Sequence, residues 1–235
     1  RLDVPARAVD HYAAYLESNP GDTGILDRLE RLYSELNRPE DQVRIARARL
    51  AAAGDDATVG MRLSLAELLV GDGADPVGAL EQLRTVVDLQ PDEPRAYALL
   101  RRIAESPVAG RGALEVLLTA ALGAGDHETV LWAALKTIEV MGASNDTAAL
   151  HDLVATTAQA LGRHDLELKH LSRALVLMPS DEGLLARLLG IAARDPKQAP
   201  IVFQALCEAA GAASWAALEK SLLWQACLLA QNAGL

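Results

Sequence analysis

Catalysis and metal binding need particular side chains at particular spacings, and few such sets meet in this sequence. Five histidines stand at positions 11, 127, 151, 164 and 170. His127-Glu128 opens like a zinc-binding helix, but the second histidine that would complete the pair is missing. His164 and His170 are six apart, a spacing that carries two side chains to different sides of a helix. All five are therefore expected to face solvent or to cap helices. The acidic pairs Asp55-Asp56 and Asp92-Glu93 fall at expected helix starts, where the positive helix end stabilises a carboxylate without any catalytic duty. Gly71-Asp72-Gly73-Ala74-Asp75-Pro76 lacks the ligand order and closing glutamate of a calcium loop, so a solvated turn is expected. Asn145-Asp146-Thr147 matches a glycosylation acceptor, yet the same residue types are those that cap a helix, and capping is the reading adopted. No phosphate-cradling Gly-Lys loop and no nucleophile elbow is present. Catalytic, cofactor-binding and metal-ligating sets are all read as none, no cofactor is expected, and the chain is not expected to be an enzyme.

What the sequence specifies strongly is its elements. The stretch Leu161 to Asp181 reads as the heart of a helix hairpin. Gly162 can take the left-handed conformation that closes one helix, and Asp165 sits in the first turn of the next. Leu168, Leu171, Ala174 and Leu175 recur at three- and four-residue spacing and form a stripe that one helix cannot bury by itself. Pro179 ends that helix, and Ser180-Asp181 are placed to cap another. The same logic along the chain predicts about thirteen helices, over 5–18, 23–36, 40–53, 57–70, 77–90, 93–105, 111–122, 126–141, 147–161, 164–178, 181–193, 199–210 and 214–232.

The pattern repeats. Ala79, Leu83, Val86, Val87, Leu89 and Pro91 reproduce the spacing of Glu167, Leu171, Ala174, Leu175, Leu177 and Pro179. Ala8, Val9, Tyr12, Tyr15, Leu16 and Pro20 give a third copy. This helix-turn-Pro-Asp phrase resembles the tetratricopeptide repeat, a helix pair of about 34 residues. The resemblance implies an all-α, right-handed superhelical solenoid of tandem antiparallel hairpins whose first helices line a concave groove that binds a protein or peptide partner. Leu26, Leu29 and Tyr33 keep the apolar spacing of a first helix, while Glu30 stands where the family has a small residue.

On the corresponding groove face lie Arg28 and Arg31 with Asp27, then Arg62 and Leu65, then Arg95, Ala98 and Arg102. The family's Lys-Asn clamp for a terminal carboxylate is absent. Because guanidinium pairs two-pronged with carboxylate, Arg28, Arg31, Arg62, Arg95 and Arg102 are the candidate contacts for a partner bearing acidic groups. The paired alternative is that these arginines serve neighbouring Glu and Asp residues. A second candidate surface is the last helix, where Trp215 and Trp224 accompany Leu218, Leu222 and Leu229; it is read as an end cap, as a face that met a further repeat, or as a self-association face that would make the chain a homo-oligomer.

Counting first and second helices between the Pro91 and Pro179 copies leaves one helix unpaired. The expected irregularity is Ser106 to Gly110, with 93–105 as the odd helix and sub-arrays over 1–106 and 107–235 in one continuous solenoid. Composition agrees with a stacked array of 235 residues: 51% are hydrophobic but only 3% aromatic, so Ala and Leu must fill the core. A net charge of −10 argues against nucleic acid, whose phosphates call for clustered Lys and Arg. No run of about 20 apolar residues is present, so direct membrane insertion is not expected. Cys207 and Cys227 fall on adjacent helices and are read as buried free thiols ahead of a disulfide. The chain opens inside what reads as a second helix, which suits a segment of a larger protein in which it would be a regulatory or assembly arm. Arg in preference to Lys, with abundant Ala and Leu, suits a GC-rich bacterial source; the cytoplasm is the expected compartment, with the periplasm open.

Overall fold

The computed structural model describes residues 3–71, 75–142 and 144–234. Among these, thirteen α-helices and three short 3₁₀ turns make up all the regular structure. The helices are α1 (Asp3–Ser18), α2 (Thr23–Glu35), α3 (Pro39–Ala53), α4 (Val59–Val70), α5 (Pro76–Leu89), α6 (Pro94–Ile103) and α7 (Gly110–Ala124), then α8 (His127–Met141), α9 (Ala148–Ala160), α10 (His164–Leu177), α11 (Glu182–Arg194), α12 (Ala199–Ala212) and α13 (Ala216–Ala233). Short connections between helices that pack on one another make successive helices antiparallel neighbours, so the chain is an all-α stack of hairpins.

The caps explain why the helices begin where they do. Asp22, Asp126 and Asp181 each accept the backbone N–H three residues on, at 3.1, 3.1 and 3.0 Å, satisfying donors that a helix start leaves orphaned. Glu93 accepts the N–H two residues on, from Arg95, at 3.1 Å. The expected role of Asp55-Asp56 is different in the structure: Thr58 Oγ1 caps α4, accepting from Met61 N at 3.3 Å, and Asp56 belongs to the 3₁₀ turn before it. Gly162 adopts φ +70°, as the turn after α9 demands. Of the solvated turn expected at 71–76, Asp72, Gly73 and Ala74 lie outside the described residues.

The helices pack as two compact units, Arg1–Ala124 and Gly125–Leu235. In the first, α1 precedes three hairpins, α2/α3, α4/α5 and α6/α7, with α4 also on α6 and α5 on α7. Leu26, Leu29, Tyr33 and Ile45 form the core at its start, and Leu63, Leu69, Leu83, Leu100, Leu114 and Leu117 carry it onward, each 3% exposed or less. In the second, α8 lies on α9, α9 and α10 form the most extensive pair, α12 packs on α10 and α11, and α13 covers α12. Leu171, Leu175, Leu188, Val202, Leu206 and Leu222 lie at its centre.

α6 packs against both α5 and α7, and α8 lies on α9. The Ser106–Gly110 segment is a tight connection: Ser106 Oγ accepts from Val108 N and Ala109 N at 3.3 and 3.4 Å, and Gly110 N donates to Ser106 O at 2.9 Å.

Candidate functional site

The arginines singled out by sequence go to different places. Arg28 on α2 turns toward α1, where its Nη1 donates to Tyr12 Oη at 3.3 Å and its guanidinium lies 5.8 Å from the ring centre. Arg31 and Arg102 are exposed. Arg95 on α6 grips Glu67 of α4, with Nη2 and Nε at 2.7 and 3.2 Å from Oε1. That hydrogen bond and the carboxylate charge raise its pKa further above the usual arginine value.

Arg62 differs from all of these. It projects from α4, whose Leu63, Leu65, Ala66 and Leu69 are buried, into a cleft of about 630 Å³ between α3, α4 and α5. Its Nη1 donates to Gln82 Oε1 at 3.0 Å, whereas its Nε is buried without a hydrogen-bond partner. Across the cleft Arg47 Nη2 meets Asp75 Oδ2 at 2.7 Å, and the other oxygen of Asp75 caps α5 through Gly78 N at 2.9 Å. Leu50, Leu65 and Val77 supply apolar wall. The cleft thus brings together the Arg62 guanidinium, whose Nε is buried and unsatisfied, and the Arg47 guanidinium paired with Asp75, with Glu81 also in the lining.

The histidines depart from the expectation that all five are solvent-facing or capping. His151 on α9 and His170 on α10 are 9% and 6% exposed, with their Nδ1 atoms 2.9 Å apart and ring centres 4.9 Å apart. Each satisfies the other, one Nδ1–H donating to the other's bare Nδ1, which is what permits two polar rings in an apolar seam. Burial lowers both pKa values, that of His170 to about 4; His151 and Lys169 push His170 the same way, as Arg173 and Lys169 do His151. A signal was present in the sequence: His151 shares a face with Ala148, Val154, Ala155 and Ala158, all buried. Among the described residues no three His, Cys, Asp or Glu side chains group as metal ligands.

On α13, Leu222 and Ala226 are buried and Leu218 and Leu229 pack beside them, but the two tryptophans are not part of that stripe. Trp215 precedes the helix and is 74% exposed; Trp224 is 64% exposed. Cys207 and Cys227 are free thiols on α12 and α13, and Cys227 is exposed, contrary to the expectation of a buried thiol. No helix of the described residues is long and apolar enough to cross a membrane.

No family model matches the chain, and no curated protein matches it. Solved structures similar to it include PilW, described as a widely conserved type IV pilus biogenesis factor, at 17% identity and a TM-score of 0.31, covering 80% of this chain and 92% of that one. The Cut9–Hcn1 heterotetramer of the APC/C is similar at 12% identity and a TM-score of 0.34, over 95% of this chain and 46% of that one. The TPR domain of P58(IPK) is similar at 13% identity and a TM-score of 0.32, over 97% and 78%. With TM-scores this low, the hairpin fold rests on the chain's own helix packing.

Proposed function

We propose that this chain is a protein-interaction scaffold that takes a carboxylate-bearing peptide or protein segment, with Arg62 as its principal contact. The observation that carries this reading is the buried Arg62 Nε, left without an acceptor at the edge of a cleft large enough for a side chain. An unpaired buried donor costs about 1–3 kcal/mol, and an incoming carboxylate recovers it while accepting from a charged group. Arg47, already paired with Asp75, supports the site as a second cation on the opposite wall. Of the remaining arginines, Arg31 and Arg102 are exposed and available to flank such a segment, whereas Arg28 and Arg95 are engaged with Tyr12 and Glu67.

Fluorescence anisotropy with an Asp/Glu-rich peptide and a control in which each Asp and Glu is replaced by Asn or Gln tests the assignment on the full chain. Arg62→Glu is expected to weaken acidic-peptide binding at least tenfold, about 1.4 kcal/mol, and Arg102→Glu to weaken it less. Unchanged affinity in both variants, or equal binding of the Asn/Gln-substituted peptide, ends this reading.

A further inference from the structure

The repeat copies assign small or apolar residues to one interior position, and one copy breaks the rule. Ala79 on α5 is fully buried. Its counterpart on α10 by the spacing of the copies is Glu167, a carboxylate in the same interior setting and only 3% exposed. Packing alone is met by Ala79, so the fold does not require a charge there. A residue that breaks a local rule without a structural return is the kind found at functional sites.

The surroundings of Glu167 fit a ligand. Its side chain lines a pocket of about 210 Å³ between α10 and α11, walled by Leu168 and Ile191. The contact the carboxylate makes there is with His164, whose Nδ1 stands 3.3 Å from Oε2 and whose side chain is 78% exposed. Two other charged groups, Arg194 and Asp195, line the pocket and make local hydrogen bonds. Arg194 donates its Nε to Gly190 O at 3.2 Å, and Asp195 accepts from Lys197 N at 3.1 Å and Gln198 Nε2 at 3.4 Å. Of the two carboxylates that line the cavity, Glu167 is the buried one and Asp195 is half-exposed at its edge. A buried carboxylate without a charged partner is costly, and a cation placed on it in an apolar pocket interacts far more strongly than in water.

We infer that this pocket binds a cationic side chain, lysine or arginine, of a peptide partner. The alkyl stem lies along Leu168 and Ile191, the head group reaches Glu167, and His164 at the mouth swings aside. A Lys or Arg stem is apolar along its length and charged at its tip, which matches apolar walls ending in one carboxylate. The net charge of −10 favours the approach of such a group. This site lies in the second unit, and the inference does not depend on the reading of Arg62.

Amide chemical shifts of the full chain, titrated with N-acetyl-lysine methylamide, N-acetyl-arginine methylamide and the neutral N-acetyl-norleucine methylamide, test it. One of the two cationic probes is expected to saturate shifts at Leu168, Ile191 and Gln198 with an affinity at least tenfold above norleucine's. Glu167→Gln is expected to erase that preference, and Ile191→Trp, which fills the pocket and leaves the carboxylate in place, to abolish binding. Should Glu167→Gln fail to fold, the charge comparison on the natural chain and the Ile191→Trp variant still decide. Norleucine binding as well as the cations, a cationic preference that survives Glu167→Gln, or binding undisturbed by Ile191→Trp overturns the assignment.

Discussion

A buried histidine that is neutral in the folded state makes stability depend on pH, and here two of them share one hydrogen bond. His170 has its folded pKa lowered from 6.5 to about 4, and His151 is lowered too. The unfolded chain therefore takes up protons first as pH falls. The stabilising contribution is complete above about pH 6.5 and is lost progressively as pH drops toward 4. At 1.36 kcal/mol per pKa unit, His170 accounts for a loss of roughly 2 kcal/mol by pH 5. Urea midpoints measured at pH 7 and pH 5 should fall for the natural chain and stay nearly level for a double variant with glutamine at 151 and 170, apart from the carboxylate titration common to both. An equal fall in the two proteins assigns the pH dependence elsewhere. The types of these residues were plain in the sequence, but their meeting was not: a spacing of nineteen residues across a turn is legible only once the register of α9 on α10 is known. The same holds for Arg62, whose distinction from Arg95 lies in which side of a helix pair each one takes.

Helix limits came out of the sequence because the signals are local. Asp, Thr and Pro at helix starts and Gly162 at a stop act within one turn, and the observed bounds follow them closely. What joins the helices depends on register and was less visible. Two hairpins join a polar pair across their helices: Arg62 with Gln82 across α4/α5, half-buried, and His151 with His170 across α9/α10, buried. Gln82 and His170 occupy equivalent places in the aligned copies, so the hairpin keeps a hydrogen bond there while the residues exchange. The Ser106–Gly110 connection shows how a single position can decide pairing. A Cβ on Gly110 would stand 2.6 Å from Ala104 O, a backbone atom that cannot step aside. Gly110→Ala should therefore cost about 1–3 kcal/mol, the range for overpacking a closed site, seen as a lower thermal midpoint. Gly123, near the other end of α7, has open space where a methyl would stand, and Gly123→Ala should leave the midpoint unchanged or raise it slightly. Equal effects of the two substitutions would show that α7 does not depend on that approach.

For the whole molecule, the small number of aromatic residues decides how hairpins meet. With 3% aromatic residues the seams are filled by Ala and Leu, and fully buried alanines such as Ala79, Ala113, Ala134, Ala174 and Ala209 let helices approach closely. The sequence supported this much because composition and the spacing of the copies are global properties, whereas which helices lie on one another, as α8 does on α9 and α12 on α10, needed the packing itself. Two of the three tryptophans are the exception to burial, and their size sets what they can do. At 74% and 64% exposure Trp215 and Trp224 together present on the order of 300 Å² of the area such side chains carry. A stable dimer buries about 800 Å² per partner, so these two side chains alone support only weak association. If they are a self-association face, light scattering should give the monomer mass of 24.9 kDa at low micromolar protein and a rise only at several hundred micromolar, in keeping with a free energy near −5 kcal/mol. Serine at both positions should flatten that rise. A dimer that persists at low micromolar concentration in the double variant would place the contact on another surface, because its affinity would exceed what two partly exposed indoles can supply.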